Sequence, residues 1–201
     1  MHVFAGVRAT VLAAAVLAGS AGTTAAAPVV VAALGSTLSA DGQPGTGGAS
    51  GSLGLMVPVE GRWAFGLKLF VDDLGTGLTD LTDPNTGEAL GRVGDLHRWS
   101  YGGEWCAEAT LHAGRRARLL WGAGFGYGRQ ESDRRGDVLD AVSAITASTS
   151  ASFLVPASHG HAFGLTLAAR RGFFSTNADP NRATNWATAA LEWRWQGTPK
   201  E

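Results

Sequence analysis

The sequence predicts an all-β fold: eight antiparallel strands running up and down and closing into a barrel. Three observations carry this. Along eight segments apolar residues alternate with small or charged ones, the period of a strand, while 3.6-residue amphipathic periodicity is hard to find. The connections between these segments take turns between long and short, as expected when tight turns lie at one end and loops at the other. No connection except 72–97 could hold a crossover helix, and that one is full of Gly, Asp, Thr and Pro, so a parallel βαβ arrangement fails.

Composition sets the outer limits. The chain has 201 residues, a net charge of −1 and only 16% charged residues, so it makes one domain and lacks the basic footprint of a nucleic-acid binder. Cys106 is the single cysteine, which rules out an internal disulfide, and no Cys/His cluster has zinc-ligand spacing. No cofactor is implied.

Residues 1–27 read as a secretory signal peptide: Arg8, an apolar stretch from about Ala9 to Ala21, then small residues leading into Pro28. The apolar stretch is shorter than the roughly 20 residues of a spanning helix. A barrel domain then occupies 28–195 and a short tail 196–201.

The strands follow in order. Weaker alternation covers 29–39 and then 50–59, where Leu53, Leu55, Val57 and Val59 share a face. From 63 to 71 Trp63, Phe65, Leu67, Leu69 and Val71 oppose Ala64, Gly66 and Lys68. Segments 98–112 and 116–128 set Trp105 and Trp121 on one face against Glu104, Glu108 and Gly122, Gly124, Gly126 and Gly128 on the other. Residues 138–155 put Ile145 and Phe153 opposite a serine-rich face, and 162–170 and 187–195 complete the set. The short connections are 60–62, 113–115 and 156–161; the long ones are 40–49, 72–97, 129–137 and 171–184.

Such strands fit a soluble lipocalin-like barrel with the apolar face inward, or a membrane barrel with it outward. The glycine run at 122–128 is a poor choice for a water-facing strand and suits a crowded narrow lumen, so the membrane arrangement is expected. Aromatic residues on the apolar face fall near strand ends, as membrane-interface girdles do. Trp63, Phe163, Trp193 and Trp195 are expected at the short-turn end, and Trp99, Tyr101, Phe125 and Tyr127 toward the loops.

The charges of the other face are expected to fill the lumen. Lys68, Glu104, Glu108, Arg116, Arg118, Asp140, Arg170, Glu192 and Arg194 form this set, with Asp72 and Arg98 near the loops. Enclosed charges require partners, so they are read as structural rather than catalytic, with Glu108 expected opposite or diagonal to Arg118 across the 113–115 turn, within pairing reach. Eight strands leave an interior just filled by side chains, which argues against an open pore.

Thr188-Ala-Ala190-Leu-Glu-Trp193-Arg-Trp195 resembles the insertion signal of bacterial outer-membrane proteins, read by the barrel-assembly machinery, although Gln196 to Glu201 follow where family members usually end on the aromatic residue. With the signal peptide and eight strands, the chain resembles the small outer-membrane barrels of the OmpA, OmpX, OmpW and opacity-protein type. That resemblance implies a Gram-negative outer membrane, lipid and lipopolysaccharide as partners, and a structural or surface-interaction role through the loops, without enzyme activity. Residues 173–181 are similar in part to the H-x-S-N-A…N-P segment of lipid A 3-O-deacylases; Phe173 or Phe174 stands in the place of the catalytic His, and Ser175 has no neighbouring base. Alternative readings are lumen transport of a small solute, a deacylase-like barrel and a secreted lipocalin-like binder. The acidic 72–97 loop reads as solvated, His112, His159 and His161 as turn residues, and Arg115, Arg116 and Arg118 as a basic rim at the short-turn end.

Overall fold

The computed structural model describes residues 27–40, 43–44, 47–59, 61–82, 89–134, 137–174 and 183–197, with the backbone alone at 43–44, 77–82, 89–96, 134, 137–140, 174 and 183. The signal-peptide segment lies outside these residues except for Ala27. Eight strands form the barrel: β1 (Val29–Ala40), β2 (Ala49–Pro58), β3 (Trp63–Thr82), β4 (Ala89–Ala113), β5 (Arg118–Arg134), β6 (Asp137–Pro156), β7 (His161–Phe174) and β8 (Ala183–Gln196). A two-residue strand, Gln43–Pro44, turns back on the end of β1. Each barrel strand pairs antiparallel with the next, and β1 pairs with β8 from Val29↔Gln196 to Ala40↔Trp186, so the sheet closes on itself.

The strands outrun the alternation that predicted them. β3 and β4 continue as a ladder from Asp72↔Ser100 to Thr82↔Ala89, through residues expected to be loop. β5 and β6 likewise extend to Arg134↔Asp137. Once a hairpin is registered in the barrel, each further pair adds backbone hydrogen bonds without a new closure cost, and this outweighs the weak strand propensity of Gly, Asp and Thr. Register shifts between Asp73 and Gly75 and between Gly77 and Thr79 absorb the irregular residues. At the opposite end the turns are tight. Gly61 takes φ 86°, and His159 and Gly160 take φ 59° and 77°, the positive values that the central residues of short hairpin turns require.

Side-chain facing settles the orientation of the sheet. Trp105 is 60% exposed, Leu165 59% and Leu191 70%, all on the outer surface, while Glu104 on the same strand as Trp105 is 1% exposed. A lipocalin-like arrangement requires the reverse. The interior holds three small apolar clusters at different positions along the axis: Ala40, Phe70, Leu74 and Trp186; Val31, Met56 and Cys106; and Leu120, Leu154 and Ala162.

Candidate functional site in the lumen

Between the apolar clusters lies the polar centre of the molecule. Period two brings Lys68 and Asp72 inward from β3, Glu104 and Glu108 from β4, Arg170 from β7, and Glu192 and Arg194 from β8. They form two connected groups. In one, the Arg170 guanidinium bonds Asp72 and donates Nε to Glu104 at 3.0 Å, while Phe70 lies under it with the guanidinium carbon 4.0 Å from the ring centre. In the other, Arg194 makes a two-pronged contact with Glu108 at 2.7 and 2.9 Å and reaches Glu192 at 2.5 Å. Lys68 adds a bond of 2.9 Å to Glu108.

Hydroxyls and one indole complete the shells. Asp72 accepts from Ser50 at 2.6 Å and from Trp186 Nε1 at 2.8 Å; Glu104 accepts from Ser148 at 2.8 Å; Glu192 accepts from Thr166 at 2.8 Å. The glycine run on β5 makes room for all this. A Cβ on Gly124 would meet Ser148 Oγ at 2.5 Å and Glu104 Oε2 at 3.2 Å, and one on Gly128 would meet the Phe70 ring at 3.3 Å. A cavity of about 40 Å³ remains among these side chains, lined by Lys68, Asp72, Glu104, Glu108, Arg170 and Glu192 with several serines and threonines. That volume suits one or two water molecules.

Two expected lumen charges lie elsewhere. Arg116 is exposed on the Gly114–Ala117 turn, which is closed by the Gly114 N–H donating to Ala117 O at 2.9 Å. Arg118 is exposed at the barrel mouth, and Glu108 faces Gly122 across the ladder rather than Arg118. The cause is turn length: the hairpin closes at Ala113↔Arg118, with a register shift between Thr110 and His112, so Arg118 lies well toward the rim. Asp140 is in β6 opposite Ser132, and its side chain lies outside the described residues. Arg98 is buried.

Of the aromatic set, Trp63, Phe163 and Trp195 are exposed near the short turns, and Trp193 stacks on His161, donating Nε1 to its Nδ1 at 3.1 Å. Toward the other end Trp99 donates to His97 at 3.1 Å, Tyr101 donates to Glu131 at 2.8 Å, and Tyr127 is exposed. Phe125 differs from the expectation: it shares a row with Trp105 and Leu67, near the middle of the outer surface.

Phe70, Trp186 and Leu154 were not singled out in the sequence, yet with Leu120 they fill the interior. Strand parity alone points to them, since each falls on the inward phase of its strand. Among the described residues no group of three His, Cys, Asp or Glu side chains could hold a metal ion. Of the deacylase-like segment only Phe173 has a described side chain, which is exposed on the outer face; residues 175–182 lie outside the described residues.

An outward apolar surface, a charged interior and an eight-strand closure define the class: an all-β, eight-stranded antiparallel closed barrel. No protein family and no curated protein matches the chain. Among solved structures it is similar to Neisserial surface protein A, with a TM-score of 0.62 and 10% identity over 87% of this chain and 99% of that one. The attachment invasion locus protein Ail of Yersinia pestis, in complex with the heparin analogue sucrose octasulfate, matches with a TM-score of 0.47 and 8% identity over 86% of this chain and 100% of Ail.

Proposed function

We propose that this chain is a non-enzymatic protein of a bacterial outer membrane, exported by its first 27 residues, with a lumen plugged by its own side chains and a surface role carried by its loop end. The observation that carries the reading is the interior. Four carboxylates and three cations, Asp72, Glu104, Glu108 and Glu192 with Lys68, Arg170 and Arg194, bond one another and enclose a cavity of about 40 Å³, closing off the wider space of about 420 Å³ at the short-turn mouth that Glu108 and Arg194 also line. No solute path runs through such a set unless the pairs part, and parting buried ion pairs is costly.

With the lumen occupied, contact with other molecules falls to the loop end, where the β3–β4 ladder continues to Thr82↔Ala89 while β2 stops pairing with β3 at Ser50↔Asp72. A rigid barrel holding an extended hairpin suits an interaction surface. Lipopolysaccharide and membrane lipid are the partners of the outer face, and the C-terminal strand β8 is the segment for the barrel-assembly machinery. Fractionation of expressing cells is expected to place the protein in the outer membrane with a band that changes mobility on heating. Planar bilayers holding the purified protein should show no unitary conductance. Stable channel openings refute the plugged lumen, and a soluble monomer refutes the membrane placement.

A further inference from the structure

The outer surface is not evenly packed. Across β3, β4 and β5 the outward residues form three rows, Leu67↔Trp105↔Phe125, Phe65↔Ala107↔Ala123 and Trp63↔Ala109↔Trp121. The alanines of the two lower rows stand between large aromatic side chains. They leave a trough of about 580 Å³, with Ala107 and Ala123 in its floor, Leu55, Phe65 and Leu67 on one side, and Trp105 and Phe125 at its upper end. The row beyond it toward the short turns holds exposed Trp63 and Trp121 around Ala109.

Past that row the chemistry changes at once. Arg62 lies beside β4, its carbonyl accepting from Thr110 N at 2.7 Å, and Arg115, Arg116 and Arg118 follow at the β4–β5 turn. All four are exposed, and no described carboxylate pairs with any of them. Residues 59–62, 113–118 and 157–160 carry these four arginines against Glu60 alone, whereas 72–97 carries six acidic residues against Arg92 alone. Cation density is thus concentrated at the short-turn rim, where Arg62 and Arg118 also border the lumen mouth while Arg115 and Arg116 stand on the β4–β5 turn at the lower end of the strands that bear the trough.

We infer that this face is a binding site for one anionic phospholipid of the leaflet at the short turns, its acyl chain in the Ala107/Ala123 trough and its phosphate among Arg62, Arg115, Arg116 and Arg118. Two features on the same three strands require an amphipathic occupant. An anionic polymer would use the arginines and ignore the trough; a second copy of the chain would fill the trough and meet its own arginines. Guanidinium groups match phosphate oxygens in forked geometry, and Trp63 and Trp121 lie where an indole bridges headgroup and hydrocarbon. Each arginine near an anionic headgroup contributes attraction that four unpaired groups accumulate. The site rests on the membrane placement proposed above.

The test is native mass spectrometry of the full mature chain released from micelles doped with phosphatidylglycerol or phosphatidylcholine. The expected result is one phosphatidylglycerol retained per chain, in preference to phosphatidylcholine by about tenfold or more. Replacing the four arginines by glutamine should remove that preference. Ala107→Phe should lower retention at least several-fold, roughly the loss expected when an apolar contact of this size is denied. Ala123→Phe fills the same trough from the next strand should the first variant not fold. Arg171→Gln, near the loop end, should change nothing. Equal retention of both lipids, indifference to the arginine variant, indifference to both phenylalanine variants, or a dimer in place of the lipid adduct each overturns the site. A protein that never gives a heat-shifted band overturns the membrane placement itself, and with it the site.

Discussion

Each buried carboxylate of the lumen has several donors, and this is what makes so much charge tolerable inside a narrow barrel. Asp72 is served by Ser50, Arg170 and Trp186; Glu192 by Thr166, Ser152 and Arg194. Arg170 and Arg194 each serve two carboxylates, and Arg194 makes the more bonds, two to Glu108 and one to Glu192. Arg194→Ala is expected to cost about 3 to 5 kcal/mol, read from the urea midpoint of unfolding in micelles. Arg118→Ala, at an exposed rim position, should stay within about 0.5 kcal/mol in the same assay. The glycine run gives a third test. Gly124→Val pushes a side chain into Ser148, Glu104 and Cys106 and should cost about 1 to 3 kcal/mol, whereas Ala147→Val on the outer face of β6 should be nearly neutral.

At the scale of the strand, parity carries most of the information. A one-residue change of phase would exchange every inward and outward side chain, so the facing of a strand follows from a single secure residue. Leu67 lies beside Trp105 near the middle of the outer surface, and Leu67→Arg is expected to cost about 2 to 4 kcal/mol of folding stability in micelles or bilayers, the penalty for a cation at hydrocarbon depth. Parity was legible from Trp63 to Leu69 because large apolar residues alternate there with Ala64, Gly66 and Lys68. It was not legible past Asp72, where Gly75 and the register shifts break the alternation and the strand persists only because its partner persists. Replacing residues 76–97 by an Asn-Gly turn, which joins Gly75 to its partner Arg98, should therefore leave the heat-shifted band intact. Loss of that band would mean the extension helps to build the barrel.

For the whole molecule the decisive event is closure of β1 on β8. It removes the two edges an open sheet would expose, and it turns a list of inward residues into a set that can touch. Arg170 and Asp72 stand 98 positions apart in the chain, and Arg194 and Glu108 stand 86 apart; both pairs meet only across the closed lumen. Adjacent-strand reasoning could not find them. It favoured Glu108 with Arg118, neighbours through a short turn, when the partner lay across the axis on β8.

The chain's own order of residues determined the all-β class, the number of strands and which face of each meets the outside, because alternation and turn spacing are local properties that survive any arrangement of neighbours. Only the closed tertiary structure decided which charges meet, how far the ladders run past the last regular alternation, and where alanines between aromatic rings open a trough. Those outcomes depend on barrel curvature and cross-lumen distance, which no segment of the chain encodes by itself.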